Sequence, residues 1–239
     1  MFARDDSGGG TPGVSGAART PTAASASTSP GAPTASASGA PTTTAGAPTT
    51  AGANDRWQGE RDALGTYLVP PRSEGWSLST GGETMAYADE KGTVLAKAQR
   101  PAYYQAGYCS TGAGVARAWA GFSPTPDGVV ESSKAVATAW AGAIGHHADG
   151  RIDPHSPVIS RTIDTHTPGV SATSSRTVVT LLERDTAGCL PPRVEITTVT
   201  ARTAQDATTL VLVRDLDVAG QLSDDLRDRI LASVRPSSA

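Results

Sequence analysis

The chain has 239 residues, a formal net charge of −3, and 23 acidic against 20 basic side chains. Both signs are interspersed, which argues against a surface for nucleic acid or for an anionic membrane, because each of these requires a concentrated basic face. Arg outnumbers Lys by 17 to 3, which we interpret as the codon bias of a GC-rich genome.

The first 53 residues form a low-complexity segment. Between residues 7 and 53 the one charged side chain is Arg19. The tetrapeptide Gly-Ala-Pro-Thr recurs there, beginning at Gly31, Gly39 and Gly46. Because the segment has no large apolar side chains to bury, nothing offsets the entropy cost of ordering its backbone. We therefore expect residues 1–53 to be a disordered tether, with the Ala/Thr/Ser/Pro composition that is typical of stalks on exported proteins.

The residues after Met1 show no anchor for this tether. They lack an apolar stretch of the length of a signal peptide or a transmembrane helix. We hypothesise that a membrane anchor is encoded upstream of Met1, and so predict an extracytoplasmic domain tethered to the cell membrane. If Met1 is the true start, the same sequence predicts a cytoplasmic protein.

Residues 54–239 have the length and composition of a single domain. Its first half predicts a helix over Arg56–Leu64, capped by Asp55, and then short strands. The strands are predicted at Trp76–Leu78, at the two arms of a hairpin, Thr84–Ala88 and Thr93–Gln99, and at Arg117–Phe122.

The second half of the domain predicts one long helix, four strands and a closing helix. Val136, Trp140 and Ile144 share one face of the long helix, Glu131–His147. The strands are predicted at Val158–Ile163, Thr177–Leu182, Val194–Val199 and Thr208–Val213. The closing helix covers Leu222–Val234, with Ser223 or a neighbour as its cap. This order predicts an α+β fold, an antiparallel β-sheet covered by helices.

Two cysteines, Cys109 and Cys189, lie in the predicted domain, and none lies in the tether. In an exported domain they would most simply pair, closing a loop of about 80 residues that is worth on the order of 4 kcal/mol in the chain-entropy model. The alternatives are two buried thiols, or Cys109 as a nucleophile, which would need a base and an oxyanion hole. We predict the disulfide.

Two groups of residues suggest metal or cofactor binding. The histidines are His146, His147, His155 and His166. Asp149 and Asp153 lie among these possible zinc ligands, yet the spacing matches no metal signature. The small-residue run Gly112-Ala113-Gly114 has no surrounding βαβ unit, which a dinucleotide loop requires. We therefore predict neither a metal site nor a cofactor.

Two further sets of residues admit both a functional and a structural interpretation. Asp215 and Asp217 follow the last long strand and could be paired carboxylates, but turns at strand ends are commonly acidic. Three tryptophans could line a ligand groove, namely Trp76, Trp119 and Trp140. Each lies on an apolar periodic face, so we predict that they belong to the core.

Several short motifs occur together in this chain. They are Glu74-Gly75-Trp76, Tyr108-Cys109, Ala139-Trp140-Ala141, Gly188-Cys189-Leu190-Pro191-Pro192, Val213-Arg214-Asp215 and Ala232-Ser233-Val234-Arg235-Pro236. Over residues 57–236 the set resembles an actinobacterial family of uncharacterised domains, which implies a membrane anchor, a low-complexity tether and one extracytoplasmic domain with two cysteines. The order of elements is also similar to that of PsbP/Mog1-like lipoproteins, whose antiparallel sheet is sandwiched by helices. Neither resemblance implies catalytic residues.

These observations predict a tethered cell-envelope domain with a non-enzymatic binding or accessory role. The expected partner is an envelope protein or a small ligand and not a nucleic acid, and membrane contact is expected only through the anchor. The alternative is an envelope hydrolase that uses Cys109 or the region of His146, His147 and His155. Reaction of Cys109 with iodoacetamide in the native protein would favour the hydrolase.

Overall fold

The computed structural model describes residues 56–80, 82–109, 116–124, 132–165, 167–183 and 189–238. The predicted tether, the Gly112-Ala113-Gly114 run and His166 lie outside these ranges. The described strands are β1 Gln58–Asp62, β2 Gly65–Val69, β3 Trp76–Leu78, β4 Thr84–Ala88, β5 Val94–Tyr104, β6 Ala118–Phe122, β7 Ile159–Ile163, β8 Ser171–Thr180, β9 Arg193–Arg202, β10 Ala207–Leu216 and β11 Arg235–Pro236. The α-helices are α1 Ser133–Ile144 and α2 Asp224–Ala232. Neither described helix is long and apolar enough to cross a membrane.

The strands form two antiparallel sheets. The large sheet has the order β3-β5-β6-β10-β9-β8-β7, and β4 also pairs with β5. The small sheet has the order β1-β2-β11. Strands β8, β9 and β10 pair in continuous register over ten residues each, and they are rich in Thr and Val, the β-branched residues that suit a pleated surface.

The predicted fold class, a sheet covered by helices, is wrong. The two α-helices have only 12 and 9 residues, and the segment predicted as a helix, Arg56–Leu64, contains strand β1 and the turn that leads into β2. The side chain of Asp62 closes this turn by accepting a 2.6 Å hydrogen bond from the backbone N–H of Leu64. Because the β-branched and aromatic residues of β2 favour a paired strand, tertiary pairing overrides the local helix propensity of β1. The result is a β-rich fold.

Most of the other predicted elements are confirmed, with shifted ends. The Ser223 hydroxyl caps α2 by accepting a 3.2 Å hydrogen bond from the N–H of Leu226. Strand β11 was not predicted; it pairs with β2, where Arg235 is opposite Thr66 and Pro236 is opposite Gly65. A Cβ at Gly65 would collide with the carbonyl oxygen of Arg235, so this close approach requires glycine.

The large sheet has one helix on each side. Helix α1 packs mainly against β8 and β9, and we call this side the α1 face. Its core includes Trp119, Val136, Trp140, Ile196 and Val211. The opposite side, the α2 face, is covered by the small sheet and α2. Its core includes Tyr67, Trp76, Phe122, Leu210, Leu212 and Ile230. The three tryptophans predicted for the core are all buried, with exposures of 1%, 4% and 1%.

Side chains alternate between the two faces along β9 and β10. Val194 and Val213 belong to the core of the α1 face. Their neighbours Glu195 and Arg214 are directly opposite each other in the register and project to the α2 face, since successive side chains of a strand point to opposite sides. Asp215 returns to the α1 face. The alternation therefore brings one buried carboxylate to each side of the same sheet.

Candidate ligand-binding pocket

Cys109 and Cys189 are joined by a disulfide bond, which confirms the predicted pairing. Their Cα atoms are 5.8 Å apart, within the usual range for a disulfide. The hydroxyl of Tyr108 donates a 2.7 Å hydrogen bond to the carbonyl oxygen of Cys189. Two segments that are 80 residues apart in the chain are therefore held together by a covalent bond and a hydrogen bond.

A cavity of about 320 Å³ lies on the α1 face beside the disulfide. We call it the α1-face pocket. Its apolar lining residues include Met85, Trp119, Ile144, Leu181, Leu190, Pro191, Val194 and Val213. They come from β4, β6, α1, β9 and β10, from the residue that follows β8, and from residues that flank the disulfide. The volume falls at the small end of the range for ligand pockets, about 300–1,000 Å³.

The polar end of the α1-face pocket is formed by Tyr108, Arg117 and Asp215. Nη1 of Arg117 donates to Oδ2 of Asp215 at 3.1 Å, and the side chains are only 16% and 11% exposed. The guanidinium of Arg117 lies over the ring of Tyr108, 3.7 Å from its centroid. Each group positions the next, from the disulfide through Tyr108 to Arg117 and Asp215.

The environment of Asp215 changes its proton affinity. Burial raises the pKa of Asp215 to about 6, although the hydrogen bond and the charge of Arg117 act in the opposite direction. The carboxyl is therefore mostly ionised at pH 7 and becomes protonated in mildly acidic solution. Burial also raises the pKa of Tyr87, another lining residue, to about 12, so its phenol stays protonated.

The structure separates the two carboxylates that the sequence placed together. Asp215 faces the α1-face pocket, whereas the exposed Asp217 accepts a 2.9 Å hydrogen bond at Oδ1 from Nη2 of Arg193. This ion pair lowers the pKa of Asp217. The interpretation of Asp215 and Asp217 as paired carboxylates is therefore wrong, and the partner of Asp215 is Arg117, 98 residues earlier in the chain.

The three described histidines, His146, His147 and His155, do not line the α1-face pocket. Nε2 of His147 lies 2.8 Å from Oδ1 of Asp153, and Nδ1 lies 3.0 Å from Oε1 of Glu183. The hydrogen bond to Asp153 and the two negative charges raise the pKa of His147. His146 and His155 each form an isolated backbone bridge elsewhere. Within the described ranges, no three His, Cys, Asp or Glu side chains are arranged to hold a metal ion.

The sequence gives no sign that Tyr108, Arg117 and Trp119 line the same pocket. Trp119 is a core residue, as predicted, but it also lines the α1-face pocket. One signal was available: Asp215 continues an apolar strand with a charged side chain, which is unusual for a buried position. The identity of its partner had no local signal, because β6 and β10 meet only in the folded sheet.

The fold and the pocket define the class of protein, a β-sheet domain with a disulfide beside an apolar pocket. The chain belongs to the family described as the domain of unknown function DUF8017, whose model matches residues 47–239. This match confirms the expected membership in a family of unknown function. A comparison with curated proteins finds no match.

Proposed function

We propose that this domain is a non-enzymatic binding module of the cell envelope. Its ligand is a small molecule, or an exposed group of a partner, with an apolar body and a head group that both donates and accepts hydrogen bonds. An amide or an alcohol has this chemistry. The observation that carries the proposal is the α1-face pocket, in which apolar walls converge on the ion pair of Arg117 and Asp215.

The lining chemistry explains the choice of ligand. Apolar walls gain roughly 25 cal/mol for each Å² of apolar surface that a ligand removes from water. At the polar end, the carboxylate of Asp215 accepts hydrogen bonds and the guanidinium of Arg117 donates them. Because the two charges neutralise each other, a neutral head group suits the site better than a charged one.

The alternative, an envelope hydrolase, gains no support from the described residues. The sulfur of Cys109 is bonded to Cys189, and a nucleophile requires a free thiolate. Both ring nitrogens of His147 contact carboxylates of Asp153 and Glu183, so this imidazole is occupied by a local ion pair. A binding role uses the pocket without requiring either group.

We also propose that the domain is extracytoplasmic and is tethered to the membrane of an actinobacterial cell through residues 1–53. The disulfide supports this location, because such bonds persist in oxidising compartments. The Arg-rich and Ala-rich composition supports an actinobacterial origin, because GC-rich genomes favour the codons of these residues. Protease added to intact host cells should degrade the domain, and a cytosolic control protein should survive. Protection of the domain until the cells are lysed would contradict the proposed location.

A neutral fluorescent probe tests the binding function. N-phenyl-1-naphthylamine has an apolar body and one N–H, and its fluorescence rises in an apolar site. Leu181 is half-buried and lines the pocket, so Leu181→Trp should fill part of its volume. We expect the affinity for the probe to fall by about tenfold or more, since a tenfold change corresponds to only about 1.4 kcal/mol.

Leu182→Trp is the matched control for this experiment. Leu182 is the next residue in the chain, is 58% exposed and is not a lining residue of the α1-face pocket. The Leu182→Trp variant should therefore bind the probe as the unmodified protein does. Equal affinities for the Leu181→Trp and Leu182→Trp variants, or no fluorescence change with the unmodified protein, would contradict a ligand site in this pocket.

A further inference from the structure

A buried charge cluster lies on the α2 face, across the sheet from the α1-face pocket. Glu195 is completely buried, and its Oε1 accepts hydrogen bonds from Nε of Arg214 at 2.8 Å and from Nη1 of Arg227 at 2.9 Å. Arg176 contacts its other oxygen, Oε2. One carboxylate therefore forms ion pairs with three guanidinium groups, which come from β8, β10 and α2.

Further charged side chains extend this cluster toward the edge of the sheet, and Asp164 lines a neighbouring depression. Arg161, on the edge strand β7, pairs with Asp228 at 3.5 Å. The described side chains of the cluster thus include four guanidinium groups and three carboxylates: Arg161, Arg176, Arg214 and Arg227 with Glu195, Asp224 and Asp228. The side chains of Arg161 and Arg176 are 64% and 51% exposed, so these two guanidinium groups face the solvent.

Three of these arginines line a groove of about 170 Å³. We call it the arginine groove. Its lining residues are Ile159, Arg161, Ser174, Arg176, Thr197 and Arg227. A neighbouring depression of about 150 Å³ shares Arg161 and Ser174 with it. The groove is therefore a concave site in which three guanidinium groups and two hydroxyl groups meet.

Ser174 adds a hydroxyl group to the wall of the arginine groove. Ser174 is only 3% exposed, and its hydroxyl has no hydrogen-bond partner among the described residues, although it lines the arginine groove. Its strand neighbour Ser175, by contrast, bonds to the hydroxyl groups of both Ser133 and Ser160 at 2.8 Å. The hydroxyl of Ser174 opens onto the groove, where it can donate a hydrogen bond to an acceptor placed beside the three arginines.

We propose that the arginine groove binds a phosphate group. A tetrahedral oxyanion presents several acceptor oxygens, and the planar fork of arginine matches such groups with paired N–H donors. The exposed guanidinium groups of Arg161 and Arg176 bind its outer oxygens, and Ser174 donates its hydroxyl to an inner one. This site is separate from the α1-face pocket, so either proposal can fail without the other.

The test measures binding of inorganic phosphate and of glycerol 3-phosphate by calorimetry at low salt. Arg161→Gln removes an exposed charge that contributes little to folding, and Ser174→Ala removes only the unpaired hydroxyl. We expect the affinity to fall by roughly tenfold or more in Arg161→Gln and by several-fold in Ser174→Ala, in keeping with charged and neutral hydrogen bonds. Added sodium chloride should weaken binding, because exposed charges are screened.

Arg151→Gln is the matched control, since Arg151 is 57% exposed and is paired with Asp149 but does not line the groove. It should bind phosphate as the unmodified protein does. The proposal is overturned if the unmodified protein binds neither compound with a dissociation constant below about 1 mM. It is also overturned if Arg151→Gln binds phosphate as weakly as Arg161→Gln, or if Ser174→Ala binds it with unchanged affinity. If phosphatidylglycerol vesicles compete with glycerol 3-phosphate, the natural source of the phosphate is a lipid head group. If the vesicles do not compete, the source is a soluble phosphate.

Discussion

Glu195 and Asp215 are two buried carboxylates on neighbouring strands of one sheet, and they differ in the number of arginines around them. Glu195, on the α2 face, contacts three. Burial raises its pKa, but the hydrogen bonds and charges of Arg214 and Arg227 outweigh this effect and lower the pKa overall. Asp215, on the α1 face, contacts Arg117 at 3.1 Å, and burial prevails, so that its pKa rises to about 6.

The comparison shows that similar burial supports two different uses of a carboxylate. Glu195 remains ionised because the hydrogen bonds and charges of Arg214 and Arg227 stabilise its carboxylate. Its three ion pairs connect β8, β10 and α2. Asp215 is less fully compensated, and it lies in a cavity where a ligand can supply further hydrogen bonds. The first carboxylate is therefore expected to act in stability and the second in binding, and three changes test this division.

The largest expected effect follows from Glu195→Gln. The change leaves the buried guanidinium groups of Arg214 and Arg227 without their shared carboxylate. Breaking a buried ion pair by removing one partner costs about 3–5 kcal/mol. We expect the free energy of unfolding at pH 7, measured by urea denaturation with tryptophan fluorescence, to fall by that amount.

Asp224→Asn is the control for Glu195→Gln. Asp224 contacts the same two arginines, but its side chain is 72% exposed, and exposed ion pairs contribute at most about 1 kcal/mol. Equal losses in Glu195→Gln and Asp224→Asn would show that burial of Glu195 does not distinguish it from a surface carboxylate.

The next effect concerns the disulfide, which borders only the α1-face pocket. Replacing both Cys109 and Cys189 by Ser should lower the free energy of unfolding by about 4 kcal/mol in the chain-entropy model for a loop of this length. At a temperature where the variant is still folded, we expect weaker binding of N-phenyl-1-naphthylamine and unchanged binding of phosphate.

The reduced wild-type protein is the control for the Cys→Ser variant, because it loses the same bond without any substitution. If both retain full affinity for the probe, the disulfide does not shape the pocket. If both lose phosphate binding as well, the two faces are coupled, and the division between them is wrong.

The elements that depend on local signals were predictable from the sequence. Alternating residues and turns located β3, β4 and β6, and Ser223 followed by Asp224 and Asp225 marked the start of α2. The cysteine count together with the tether predicted the disulfide. These signals lie within a few residues of one another, so they do not require knowledge of the fold.

The elements that depend on pairing between distant residues were not predictable. The local pattern of Arg56–Leu64 predicts a helix instead of strand β1, because the strands that stabilise this hairpin, including β11 at the far end of the chain, have no local signal. The polar end of the α1-face pocket joins Arg117 to Asp215 across 98 residues. For Glu195, the three arginines become its neighbours only through the sheet register and the packing of α2.

The smallest effect is a pH dependence that comes from Asp215. Because its folded pKa is raised from 3.8 to about 6, the native state binds this proton more tightly than the unfolded state does. The contribution to stability is therefore present below about pH 4 and is lost as the pH rises to about 6. A shift of this size corresponds to about 3 kcal/mol.

Asp215→Asn removes this titration, since Asn stays neutral. Relative to the unmodified protein, the variant should gain up to about 3 kcal/mol of stability between pH 4 and pH 7, measured by urea denaturation at several pH values. Asp217→Asn is the control: the pKa of the exposed Asp217 is lowered, so its contribution is present above the unfolded pKa and does not change over this interval. If the difference in free energy of unfolding between Asp215→Asn and the unmodified protein does not change with pH, one arginine compensates the charge of Asp215 as fully as three arginines compensate that of Glu195.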